Sequence, residues 1–284
     1  MNTRVYLTLR TAPAMPVEAE SLLPENVVGK SAEEIESLPL QVGNRAETVG
    51  DHFRVEILES PSGGQGGGGT AALELSGDLT RFKRLGEGMS SGTLTVNGTV
   101  GFHAGAHMSG GTLTINGDAG DYLGAMMTGG RITVHGNAGH FAGSAYRGFF
   151  RGMSGGSILV LGNAGNLTGA RMRRGMIAVR GTCGDLAGYA MGAGTVLIGG
   201  RAGVRAGANM VRGTVILLTP PEEMPPTFRY DYTGLPPFWP LMHASLSEAG
   251  WTAPEAEARA EFKRYSGDFN EGGRGELLML SGAA

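Results

Sequence analysis

Apolar residues recur along most of this chain at a fixed distance of nineteen positions, with one longer step. Leu94, Leu113, Ile132, Ile158, Ile177, Val196 and Val215 form one column; Val96, Ile115, Val134, Val160, Val179, Ile198 and Leu217 form a second. Within each repeat these positions alternate with polar or variable neighbours, the period-2 signature of a strand with one buried face. The repeats run 93–111, 112–130, 157–175, 176–194 and 195–213, while 131–156 is the same unit lengthened by seven residues. Residues 73–92 form a degenerate first unit, and a strand opening at Thr214 begins an eighth.

Three further columns share the step. Small residues run from Val100 through Ala119, Ala138, Ala164 and Cys183 to Ala202. Methionines 89, 108, 127, 153, 172, 191 and 210 form another, and their flexible thioethers suit a stacked interior. Glycines mark two corners, Gly98 to Gly200 and Gly105 to Gly207, where a recurrent turn with positive φ would select them. A nineteen-residue unit is too small for a helix-containing repeat or a propeller blade. The expected fold class is therefore all-β: a right-handed, single-stranded parallel β-helix of about seven to eight coils. At about 4.8 Å per coil it makes a rod on the order of 35 Å long. Each buried ladder residue contributes roughly 1.5–3 kcal/mol, which offsets the entropic cost of the corner glycines.

The flanks do not repeat. Residues 1–72 read as a small α/β extension or cap, with strands at Val5–Leu9 and Phe53–Leu58 and a short helix whose Ser31 and Glu34 fit a capping box. Ser62–Thr70 reads as a flexible connector before the repeat region, 73–219. Residues 220–284 read as an extended, proline- and aromatic-rich arm followed by a helix at about 253–265, with Thr252 as N-cap, Pro254 in the first turn and Glu255 completing a capping box. These ends are natural covers for the unpaired edges of a strand stack, or places where partners dock.

Composition agrees with an ordered chain. The 51 glycines among 284 residues come without a matching excess of serine or proline, and 41% of the residues are hydrophobic. One cysteine excludes an internal disulfide, and Arg4 and Arg10 bracket too short an apolar stretch for a signal-peptide core, so a cytoplasmic location is expected. No run approaches a membrane span, and a net charge of −3 argues against a nucleic-acid binder.

Catalytic constellations are absent from the pattern. The histidines 52, 103, 107, 135, 140 and 243 do not stack on one another at the repeat distance, so no metal site is expected. Cys183 lies in a column of alanine and valine and reads as an inert buried thiol. No glycine string joins a strand to a helix in the manner of a phosphate loop. Charge is more informative: between 131 and 219 ten arginines face a single acid, Asp185, a local balance of +9. These arginines read either as a solvated face paired with the acidic flanks or as a docking surface for an acidic partner or polyanionic tail, with Arg171, Arg173, Arg174, Arg205 and Arg212 the candidate contacts. The seven-residue insertion adds Tyr146, Arg147, Phe149, Phe150 and Arg151, residue types enriched at interface hot spots, and is expected to meet a partner.

The strings GDAGDYLGAMMTGG and GNAGHFAGSAYRGFFRGMSGGSILVLGNAG resemble the C subunit of formylmethanofuran dehydrogenase, within the wider GXGXG family shared with the C-terminal domain of the glutamate synthase large subunit. SAEEIESLPLQVGNR (31–45) and FKRYSGDFNEGGRGELL (262–278) resemble that family's flanking segments. The resemblance implies a non-catalytic structural subunit whose siblings carry the chemistry. Two complexes own such a protein: a bacterial formyltransferase/hydrolase complex, which moves a formyl group from tetrahydromethanopterin to a methanofuran-like carrier and hydrolyses it to formate, and an archaeal molybdenum or tungsten dehydrogenase. A glutamate synthase-like scaffold is a third alternative. Three lysines against twenty arginines suit a GC-rich genome and favour the bacterial complex. The implied partners are the sibling subunits of the complex: the amidohydrolase-like A subunit, the B subunit and the formyltransferase D subunit. No cofactor is implied on this chain itself, although the carrier's polyglutamate tail would suit the arginines.

Overall fold

The computed structural model describes residues 2–60, 71–251 and 258–282. The N-terminal flank supplies β1 (Asn2–Leu9), β2 (Val17–Glu18), the short helices α1 (Pro24–Val27) and α2 (Ala32–Glu36), β3 (Pro39–Val42), β4 (Arg45–Thr48), α3 (Val49–His52) and β5 (Phe53–Ser60). The repeats give β6 (Ala72–Ser76), β7 (Phe82–Lys83), β8 (Thr93–Asn97), β9 (Ser109–Ile115), β10 (Gly129–Val134), β11 (Ser154–Val160), β12 (Arg174–Val179), β13 (Thr195–Ile198) and β14 (Gly213–Leu217). Then follow β15 (Arg229–Gly234), α4 (Trp239–Glu248), β16 (Phe262–Gly267) and β17 (Gly275–Leu280). The fold is all-β, built on a thirteen-stranded, mostly parallel sheet in the order β15-β16-β17-β14-β13-β12-β11-β10-β9-β8-β6-β1-β5.

Strand register follows the repeat. Leu73, Leu94, Leu113, Ile132, Ile158, Ile177, Val196 and Val215 stand opposite one another in successive parallel strands, as do Leu75, Val96, Ile115, Val134, Val160, Val179, Ile198 and Leu217. All are buried, and the seven column methionines lie beside them with no exposed surface. A second line of contact runs through isolated parallel bridges from Leu79 through Val100, Ala119, Ala138, Ala164 and Cys183 to Ala202. The inward columns belong to one contiguous inner core. The flanks extend the same sheet: β1 lies parallel to β6 and β17 parallel to β14, and beyond them β5 and β16 run antiparallel. A four-stranded sheet, β4-β3-β2-β7, joins the N-terminal flank to the first repeat, with Phe53 and Phe82 in contact at 5.1 Å. The Ser31 capping box is present, with the Ser31 amide donating to Glu34 Oε2 at 2.7 Å.

Three expectations need correction. Ser62–Thr70 and the cap residues Thr252, Pro254 and Glu255 lie outside the described residues, but Phe262–Gly267 is strand rather than helix. The α-helix among the described residues of this flank is Trp239–Glu248, and FKRYSG pairs non-locally with β15 and β17. The first glycine column also has another cause. Gly117 is not held at positive φ; a Cβ there would come 2.5 Å from Gly98 O and 2.6 Å from Gly98 C, so the residue is small because adjacent repeats touch backbone to backbone. The second column does turn through positive φ, Gly124 at +58° being typical. Finally, bulky side chains also occupy left-handed corners: Arg84, His103, Tyr122, Phe141, Leu167, Leu186 and Arg205 have φ of 59–66°. Such a residue costs roughly 1–2 kcal/mol, which the inter-repeat bonds of the same amides offset, for example Tyr122 N to His140 O at 2.8 Å.

Candidate functional site

The lengthened repeat departs from the stack at Ala145 and returns at Met153, whose amide donates to Gly143 O at 2.9 Å. Its root is Tyr146, which folds back onto the preceding repeats. The Tyr146 ring lies 5.1 Å from Tyr122 and 5.7 Å from His107, and its hydroxyl is 3.0 Å from His103 Nδ1. Burial pushes the Tyr146 hydroxyl up to about 12, while burial and then the Arg84 charge depress His103. Both groups are thus neutral near pH 7, and a neutral hydrogen bond joins them. Under this root runs a stack at the repeat distance, with His103 and Tyr122 5.3 Å apart and Tyr122 and Phe141 4.7 Å apart.

The tip of the insertion faces solvent. Phe149 is 54% and Phe150 77% exposed, and Arg147 and Arg151 are exposed beside them. Two arginines of the next repeat hold the tip in place. Arg171 Nη1 donates to Phe149 O at 2.6 Å, Arg173 Nη2 donates to Phe150 O at 3.4 Å, and the Arg171 guanidinium sits 5.5 Å from the Phe150 ring centre. Of the sequence-derived candidates, the fold therefore gathers Arg171 and Arg173 with the insertion. Arg174, at the start of β12, and Arg205 and Arg212, on later repeats, are exposed, and no hydrogen bond among the described residues ties them to it. Of the ten arginines between 131 and 219, only Arg201 pairs with an acid among the described residues, Glu222 at 2.9 Å. Among the described residues, pairing with acidic flanks thus accounts for little of the local +9.

Sequence reasoning missed the aromatic stack. Its signal was the step of nineteen linking His103, Tyr122 and Phe141, hidden because the three residue types differ. It also missed two polar corner ladders. Asp118 Oδ1 accepts from Asn137 N, Asn137 Oδ1 from Asn163 N and Asn163 Oδ1 from Thr182 N, at 2.6–2.9 Å. A parallel line runs from Asp121 through His140, Asn166 and Asp185 to Val204. These bonds satisfy backbone amides that the turns leave unpaired.

His52 and His140 make structural hydrogen bonds, and His243 and the thiol are buried. His52 contacts Glu47 Oε2 at 2.7 Å, His140 Nδ1 accepts from Asn166 N, and His243 lies 6.0 Å from the Trp239 ring. Cys183 is 4% exposed, and burial raises its thiol to about 11. We expect Cys183 in the folded protein to resist a thiol-specific reagent at mildly alkaline pH and to react once denatured. Cys183→Ala should cost less than about 1.5 kcal/mol, since alanine already fills the neighbouring repeats. Stoichiometric labelling of the native protein would contradict this.

Comparison with known proteins adds three findings. A family model described as the GXGXG motif matches residues 70–231. The C subunit of the tungsten-containing formylmethanofuran dehydrogenase 2 of Methanococcus maripaludis is 51% identical over 149 residues, 52% of each chain. The C subunit of the molybdenum-containing formylmethanofuran dehydrogenase 1 of Methanosarcina barkeri is 34% identical over 103 residues, 35% of this chain and 31% of that protein. The match thus spans about half the length of the first relative and about a third of the second. A chain in the crystal structure of the formyltransferase/hydrolase complex (FhcABCD) of Methylorubrum extorquens, determined with methylofuran, superposes with a TM-score of 0.86 at 35% identity, covering 98% of this chain and 100% of that one. No helix among the described residues is long and apolar enough to cross a membrane.

Proposed function

From the premise that this chain belongs to the GXGXG-motif family, we propose that it is the non-catalytic structural C subunit of a formyltransferase/hydrolase complex that passes a formyl group to a methanofuran-like carrier and hydrolyses it to formate. The observation that carries the reading is the end-to-end likeness, flanks included, to a chain of such a complex. A scaffold role is supported by the structural engagement of Cys183 and of His52, His103 and His140. Its partners are the amidohydrolase-like A subunit, the B subunit and the formyltransferase D subunit, and its location is cytoplasmic.

In this reading residues 73–219 form a right-handed, single-stranded parallel β-helix of about seven to eight coils, supported by two parallel ladders that advance with the same step. Residues 1–72 extend one end, and 220–284 contribute an arm and helix. Tyr146, Arg147, Phe149, Phe150 and Arg151 form a sibling contact, with Tyr146 as its root. The exposed Arg174, Arg205 and Arg212, which have no acidic partner among the described residues, fit the polycarboxylate tail of the carrier. Arg171 and Arg173 already give donors to the insertion.

Membership of an archaeal-type dehydrogenase, again as its C subunit, is the second reading, favoured by the 51% identity to the tungsten enzyme's chain. Purification of the tagged chain from its own host tests both. The first reading expects formyltransferase and amidohydrolase-like subunits at fixed stoichiometry without molybdenum or tungsten. Stoichiometric metal favours the second, and formyl transfer or hydrolysis by the chain alone contradicts the scaffold role.

A further inference from the structure

We infer that the insertion 146–151 is a pre-formed hook that seats a carboxylate-rich segment of a partner polypeptide carrying an apolar side chain. The inference rests on the reading as a structural subunit and specifies what the partner presents at this place.

Charge is the first ground. Arg147, Arg151, Arg171 and Arg173 form the insertion's charged edge and its brace, and none has an acidic partner among the described residues. Four like charges so placed repel one another, and an anion relieves that repulsion most where solvent is excluded. Each guanidinium has five N–H donors, so the carbonyl bonds made by Arg171 and Arg173 leave most of each fork for a carboxylate.

Preorganisation is the second ground. The insertion is fixed at its root by Tyr146 against His103, His107 and Tyr122, at its tip by Arg171 and Arg173, and at its exit by the bond from Gly152 N to Arg171 O at 2.8 Å. A loop already held in place loses little conformational freedom when a partner arrives. Solvation of charge alone does not require such bracing.

The exposed Phe149 and Phe150 narrow the occupant. A soluble polycarboxylate would satisfy the arginines and leave both rings wet. A polypeptide segment with acids flanking an apolar side chain covers both, matching the arginine and aromatic enrichment of interface centres. A nucleic acid would also meet arginines and rings, but outside 131–219 the chain has an acidic balance of −12, which repels an extended polyanion.

The test places p-benzoylphenylalanine at position 150 of the tagged chain in its host and irradiates the intact assembly. The expected product is a crosslink to one sibling protein, within a peptide that carries several Asp or Glu residues around an apolar one. The R147E/R151E double variant, altered only at exposed positions, should weaken retention of that sibling about tenfold or more. Replacing the partner's acids with lysine should restore it. A crosslinked peptide without acids, an intact assembly that gives no crosslink, or unchanged retention after charge reversal overturns the hook. A wild-type chain that brings down no sibling at all instead overturns the reading beneath it.

Discussion

Gly117→Ala should destabilise this protein by more than about 3 kcal/mol, because the added methyl group has nowhere to go. Its Cβ would stand 2.5 Å from Gly98 O, 2.6 Å from Gly98 C and 2.8 Å from Thr99 N, all backbone atoms of the neighbouring repeat. No rotamer change relieves such a clash; the two repeats must move apart, breaking bonds that hold them in register. A loss of this size lowers Tm by roughly 5 °C in a chain of this length. Gly88→Ala is the informative control. Gly88 has φ of +73° but nothing within 4 Å of its virtual Cβ, so only the backbone cost of about 1–2 kcal/mol applies. Thermal melts of the two variants decide the point: equal Tm values would mean that inter-repeat contact is not what keeps this column free of side chains.

Trp239→Ala should be nearly as damaging, by about 3–5 kcal/mol, for a reason seated on the opposite face of the sheet. The outward positions of successive strands form the column Glu74, Thr95, Thr114, Thr133, Leu159, Ala178, Leu197, Ile216 and Leu278. It is polar in its first half and apolar from Leu159 onward, and the apolar half is where the C-terminal arm lands. Trp239, 1% exposed, joins Leu246, Trp251 and Phe262 over this surface as a second core. Truncating it uncovers a stripe of aliphatic side chains, so a hydrophobic dye should bind the variant strongly and the wild type weakly. A Trp239→Ala protein that melts like the wild type and ignores the dye would show that the arm contributes no stability.

That column also shows what the sequence concealed. The inward columns are legible because each position repeats a chemical type, and Leu113 and Ile132 do stand opposite each other in adjacent strands. The outward column changes type halfway, and a change carries no periodicity, although it marks where α4 and its neighbours cover the sheet. The error at 262–267 has a related origin: Thr252, Pro254 and Glu255 satisfy a local capping pattern, whereas the strand is specified by pairing with residues on both sides that no local window contains. The insertion is visible as a break in the repeat. Its bracing is not, because Tyr146 reaches back 43 positions to His103 and Arg171 reaches 22 positions to a backbone carbonyl. Contacts to main-chain oxygen leave no trace in side-chain identity.

The register shared by the strand centres gives the molecule a graduated scale. Every repeat advances the chain by one strand spacing, about 4.8 Å, and the lengthened repeat leaves that advance unchanged because its extra residues leave and rejoin at the same rung. The separation between the braced loop and the C-terminal arm is therefore quantised: it is set by how many repeats lie between them and is indifferent to what their outward side chains are. Their separation can thus be changed by whole rungs, through gain or loss of a nineteen-residue unit, while loop and arm each keep their own chemistry.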